Sequence, residues 1–153
     1  MAAAQGAGIN VDSYDRIGVI FSKLSDLAGS KISYGGLGTI EGKNFWINAQ
    51  FNFGTVAHEI GHNYGLNHAS LWQVTDGNPL SPTGTSVEYG DLYDVMGDGK
   101  SIAHGFSHWN KSILAWIPDT AVTLANASAT YRVYRFDPTA APNLANPRAL
   151  KIV

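Results

Sequence analysis

The chain contains no cysteine, which excludes disulfides, thiolate metal sites and a cysteine nucleophile from its 153 residues. No apolar run approaches the roughly 20 residues that a membrane-spanning helix needs. Charge is sparse and balanced: 10 Lys and Arg stand against 12 Asp and Glu, a formal net charge of −2. With no basic cluster, neither nucleic acid nor an anionic membrane is expected as a partner. No repeat or low-complexity segment occurs. Methionine is nearly absent too, Met96 being the only one besides Met1. What the chain does have is a 44% hydrophobic content at single-domain length, enough to bury a sizeable core.

Its chemistry concentrates in His58-Glu59-Ile60-Gly61-His62-Asn63-Tyr64-Gly65-Leu66-Asn67-His68. On an α-helix, His58 and His62 share a face about 6 Å apart along the axis. Both imidazoles then reach one tetrahedral zinc ion at about 2.0–2.1 Å. A continued helix would carry His68 roughly 15 Å away from His58. The chain must therefore turn after His62, and Gly65 is the residue suited to a positive φ there. Three protein ligands, His58, His62 and His68, leave the fourth position open for water, as in a catalytic rather than a structural zinc site. Glu59 is placed to take that water's proton instead of binding metal. An amphipathic helix with histidines on its solvent face explains neither Gly65 nor His68.

This eleven-residue motif resembles the extended zinc motif of the metzincin clan of metalloproteases. Residues 88–97, Glu88-Tyr89-Gly90-Asp91-Leu92-Tyr93-Asp94-Val95-Met96-Gly97, resemble the clan's Met-turn. Tyr-Gly-Asp-x-x-Asp-x-Met-Gly is most similar to the gametolysin family, an algal and bacterial branch that digests cell-wall or matrix glycoproteins. Residues 110–116 resemble that family's helix after the Met-turn, so the resemblance covers roughly residues 35–117. It implies one catalytic Zn²⁺, Glu59 as catalytic residue and Met96 as an apolar floor beneath the imidazoles. It further implies a secreted, monomeric endopeptidase acting on protein or peptide substrate in extended conformation.

Departures from the clan matter as well. Serralysins and astacins carry a switchable tyrosine two residues after the Met-turn methionine, where this chain has Asp98. Only Tyr89 or Tyr93, reaching the site from the other side, offers a phenol instead. Ala69 and Ser70 follow the third histidine in place of the adamalysin aspartate. The adamalysin disulfides and the cysteine-bound second zinc of archaemetzincins have no counterpart.

Local patterns predict a buried strand over residues 15–22 and strands at 35–41 and 45–48 around a turn at 42–44. The active-site helix is predicted over 53–64, with Asn52 as N-cap and Val56, Ile60 and Tyr64 as its core stripe. Residues 69–100 read mostly as loop, 107–116 as a second helix stopped by Pro118, and 130–136 and 148–153 as strands. The expected fold class is α+β, a zincin-like (metzincin) domain with a twisted mixed sheet, the active-site helix and a loop-rich lower subdomain. A catalytic domain is expected over 1–118, its upper half 1–68 and lower half 69–118, with a β-rich extension starting at 119–153. By the resemblance, the chain is expected to begin part-way through that domain.

Substrate is expected to pair with the edge strand around Gly36-Leu37-Gly38-Thr39, whose glycines tight packing or a bulge explains as well. Asp91 and Asp94 either bond turn backbone or steady a ligand histidine. His104 and His108 are expected at the surface. Two readings from other classes stand beside the peptidase: an inactive zinc-binding adhesion or recognition module, and a zinc amidohydrolase acting on small substrates. The intact Glu59 and ligand set argue against the first, and the clan's long cleft against the second.

Overall fold

A computed structural model of the chain describes residues 1–98, 105–135 and 145–153. By compactness these form two units, Met1–Gly105 and Phe106–Val153. This division falls earlier than the functional one expected at residue 118.

In the first unit a short helix, α1 (Ala2–Gly6), precedes a mixed sheet of β1 (Ile17–Phe21), β2 (Gly36–Gly38) and β3 (Asn44–Asn48), in the order β1-β3-β2. β1 runs parallel to β3, with Ile17 opposite Asn44, and β2 runs antiparallel to β3, with Gly36 opposite Ile47. The β-branched and aromatic residues of β1 and β3 suit this pleated surface. Side chains alternate across it, so Phe45 and Ile47 share a face with Gly36 and Gly38, and Trp46 takes the other. Helix α2 (Phe53–Asn63) packs on that first face, over β2 and β3.

Burial differs from expectation in two places. The strand at 15–22 forms but is not buried: Val19 and Ile20 are 47% and 54% exposed, because α2 lies over β2 and β3 rather than over β1. The helix also turns the other way. Val56 and Ile60 are only half-buried and Tyr64 is exposed, whereas His58, Glu59, Gly61, His62 and Asn63 are buried. A polar face can lie on the sheet because β2 is built of glycines and because most of its polar groups are bonded, the buried Asn63 Oδ1 being an exception. Asn63 donates from Nδ2 to the carbonyls of Thr39 (2.9 Å) and Asn44 (3.0 Å), clamping the end of α2 to the β2–β3 connection.

Residues 69–98 are less irregular than expected. β4 (Leu71–Val74) and β5 (Gly84–Val87) form an antiparallel hairpin with Leu71 opposite Val87. Trp72 Nε1 donates to the Ser81 carbonyl at 2.9 Å and closes the hairpin's connecting loop.

The second unit begins with α3 (His108–Ile113), capped by Ser107, whose Oγ accepts the Asn110 N–H. His108 is exposed, as expected; His104 lies outside the described residues. β6 (Val122–Ala125) pairs in parallel with β7 (Ala149–Ile152). The strand expected over 130–136 is absent from residues 131–135, while Phe136 lies outside the described residues. The ladder partner of β7 is β6 instead, and residues 131–135 make isolated bonds, Tyr134 N–H to the Pro147 carbonyl, Tyr131 hydroxyl to the Ala127 carbonyl and Arg148 Nη1 to the Arg135 carbonyl. Strand propensity without a ladder partner does not make a strand. Among the described residues, no helix is long and apolar enough to cross a membrane.

Candidate metal centre and cleft

Helix α2 opens on Asn52, whose Oδ1 accepts the Thr55 N–H at 3.0 Å. It closes at Tyr64 with two reversed bonds, Gly65 N–H to the His62 carbonyl (2.9 Å) and Leu66 N–H to the Gly61 carbonyl (3.0 Å). This is a Schellman termination, and it needs a left-handed residue just past the cap. Gly65 supplies it at φ +92°. The fully buried Leu66 anchors the reversed chain, and the Leu66 carbonyl turns back toward His62.

The turn brings His58, His62 and His68 together, with one ligand atom from each lying within 4.8 Å of the others. Each ring is held from its far side. His58 Nδ1 sits 2.8 Å from the Val95 carbonyl, His62 Nδ1 2.8 Å from the Leu66 carbonyl, and His68 Nδ1 2.7 Å from Glu88 Oε1. Carbonyl and carboxylate oxygens accept but do not donate, so each Nδ1 carries the proton and each Nε2 offers a lone pair inward. Burial, reinforced by the neighbouring imidazoles, also pushes the pKa of His58 and His62 below the usual histidine value. Neutral imidazoles with converging lone pairs are what a divalent cation requires.

Sequence reasoning did not find Glu88. The hairpin register explains its arrival: pairing Leu71 with Val87 puts the residue after β5 beside the segment before β4, where His68 lies. The one signal available was the pair of strand-like runs, 71–74 and 84–87, flanking turn-rich residues. Asp91 and Asp94 hold the turn itself: Asp91 Oδ1 accepts the Tyr93 N–H (2.8 Å) and Asp94 Oδ1 the Met96 N–H (2.7 Å). Asp94 also lies within electrostatic reach of His58. Met96 is fully buried, and its carbonyl accepts the N–H of Ala69, next to His68. The turn is thus tied to two of the three histidines, through Val95 and through Ala69.

Glu59 is buried beside His58 and lines a cleft of about 700 Å³ with Gly36, Tyr89, Leu92 and Asp98. Burial raises its pKa from 4.5 to about 7, while the Gly38 backbone pulls the other way. Both β2 glycines make room for it. A Cβ on Gly36 would lie 2.5 Å from Glu59 Oε1, and one on Gly38 would strike the Glu59 carbonyl. Close packing is therefore what the glycines provide.

Tyr89 reaches the centre and Tyr93 does not. The Tyr89 ring stands 3.9 Å from the His68 ring and 5.9 Å from the His58 ring, centre to centre. Burial, then the carboxylates of Glu88 and Glu59, raise its pKa above 10. Tyr93 is 82% exposed.

The model of one protein family, gametolysin peptidase M11, matches residues 27–130. The chain belongs to the gametolysin peptidase M11 family. No curated protein and no solved structure matches it. The M11 match takes in β2, β3, α2, the hairpin and the Met96 turn, and runs on through α3 and β6. An M11 metallopeptidase needs a metal-binding centre, and the three histidines form a cluster able to hold an ion.

Proposed function

We propose that this M11 chain is a zinc-dependent endopeptidase of the metzincin type. The observation that carries the reading is three imidazoles with their Nδ1 atoms already bonded, converging beside a buried carboxylate in an open cleft. Zinc held by His58, His62 and His68 would supply Lewis-acid polarisation of water and of the scissile carbonyl. Glu59 takes the attacking water's proton and delivers it to the leaving amine, a task suited to a buried carboxylate beside the histidine cluster. Met96 contributes a buried apolar support below the ligands.

The free edge of β2 offers the substrate a backbone partner. Asn48 N–H donates to the Gly35 carbonyl and Thr39 N–H to the Asn44 carbonyl, so odd-numbered residues face β3. Gly36 and Gly38 then turn their polar groups outward; the Gly38 backbone already bonds Glu59, so an extended peptide adds alongside Gly36 as a further strand. Protein substrates of the matrix or cell-wall glycoprotein kind, action outside the cell and a monomeric state belong to the same proposal and rest on the resemblance.

The test is metal analysis together with chelator-sensitive hydrolysis of a denatured protein and of small acetylated amides. One zinc per chain with cleavage of the protein supports the reading. Cleavage confined to small amides would make the chain an amidohydrolase, and zinc binding without hydrolysis would make it a recognition module.

A further inference from the structure

We propose that the Tyr89 hydroxyl is a catalytic hydrogen-bond donor, directed at the substrate carbonyl oxygen as negative charge builds on it, across the cleft from Glu59. The inference rests on the peptidase reading above and adds a residue to it. Tyr89 lines the same cleft as Glu59, His58 and Gly36, and its ring lies against two of the three imidazoles.

Its backbone points the same way. The Gly90 N–H to Val87 carbonyl bond (3.0 Å) closes a four-residue turn in which Tyr89 is the third residue, at φ +60°. Glycine is the usual occupant of such a place, and any other side chain there is strained. Strain of this kind concentrates at functional sites, where the surroundings over-determine it. Here the turn follows directly from Glu88, which is fixed on His68, so the bond that orients a ligand histidine also delivers the phenol to the cleft.

Tyr34 also brings a phenol to the cleft, but among the described ring contacts only Tyr89 lies against the imidazoles, and the remaining polar groups are less suited to the task. Asn52 and Thr55 are engaged in capping α2. The Gln50 side chain lies over Gly35, where a Cβ would come within 2.7 Å of it. A carboxylate at Asp98 accepts and does not donate. A phenol, with a reference pKa of about 10, carries its proton at neutral pH. Carbonyl oxygens gain most from such a donor when charged, so its effect falls on the reaction barrier rather than on substrate binding.

The test compares zinc-loaded wild type, Tyr89→Phe and Tyr93→Phe in two ways: steady-state cleavage of a peptide, and calorimetric binding of a phosphinic peptide that mimics the tetrahedral carbon. Tyr89→Phe keeps the ring against His68 and removes only the hydroxyl. It is expected to hold a full zinc complement and a KM within about threefold. Its kcat should fall about 10²-fold, the usual effect of removing one such donor, and its phosphinic-peptide affinity at least tenfold. Tyr93→Phe should match wild type. Unchanged kcat and phosphinic affinity in Tyr89→Phe overturn the inference, as does the same loss in Tyr93→Phe. Lost zinc in Tyr89→Phe also overturns it, by making the residue a support for the metal centre. Failure of the peptidase reading looks different: wild type itself then neither cleaves the peptide nor binds its phosphinic mimic.

Discussion

Glu88 touches one ligand histidine through one short bond, so its contribution can be isolated. Outer partners of metal-bound histidines typically contribute 10–100-fold in affinity. Because the Glu88 side chain is 67% exposed, Glu88→Ala should lie near the lower end, about tenfold weaker zinc binding in a competition titration. Equal affinity would mean that His68 is oriented without it. Glu59 makes a prediction with two parts. Glu59→Gln should keep zinc yet lose at least about 10²-fold in hydrolysis, and an equally active variant would remove it as the base. The second part concerns the metal-free protein. With its folded pKa raised from 4.5 to about 7, Glu59 contributes stability that is fully present below pH 4.5 and lost as pH rises through 7. Glutamine has no charged form to desolvate, so metal-free Glu59→Gln should gain on wild type as pH rises, by about 1–3 kcal/mol at pH 8 and close to nothing at pH 4.5. Denaturation midpoints at the two pH values check this. Among single residues, the clustering of the three histidines was legible, His58 and His62 from helical spacing and His68 from the turn at Gly65. Glu88 was not, because a short strand pairing brings it to His68 from twenty residues away in sequence.

At the scale of elements, the Schellman end of α2 joins backbone conformation to ligand placement. Gly65→Val should cost on the order of 1–3 kcal/mol, since the position is left-handed, and a Cβ there would also press on the Glu41 side chain. Zinc affinity should fall although every ligand is intact, because the same loop carries the Leu66 carbonyl and His68. Thermal melts and zinc titration of the variant decide it; wild-type affinity would locate the essential bend elsewhere. This helix end was readable in advance, from a glycine lying between ligands that must converge. Which face of α2 is buried was not. Val56, Ile60 and Tyr64 have the apolar period, but the sheet admits the histidine face because Gly36 and Gly38 leave it room. The hairpin was hidden for a related reason: its strands are four residues each, too short for alternation to stand out from a loop.

At the scale of the whole molecule, every group of the proposed centre belongs to Met1–Gly105, and the described residues of Phe106–Val153 supply none. Metal should therefore stabilise the first unit selectively. At a free zinc concentration of about 100 Kd the gain is about 2.7 kcal/mol, which corresponds to roughly 5–15 °C in melting temperature. Chelation should speed amide exchange across residues 58–96 and leave 108–125 and 149–152 unchanged. Equal acceleration in both units would show that they unfold together. The mixed α+β class was legible from the sequence, as were β1, β2 and β3; the parallel pairing of β6 with β7 was not, since nothing local links residues so far apart. One feature of the centre bears on how such a chain tolerates mutation over time. Two of the three histidines lean on main-chain oxygens, of Val95 and Leu66, which every amino acid possesses. Substitutions at those two codons leave the acceptors in place, whereas the third histidine depends on the carboxylate of residue 88. Of the three outer acceptors, only the one at residue 88 can thus be erased by a change of side chain, so mutational drift in that outer layer is channelled through one codon.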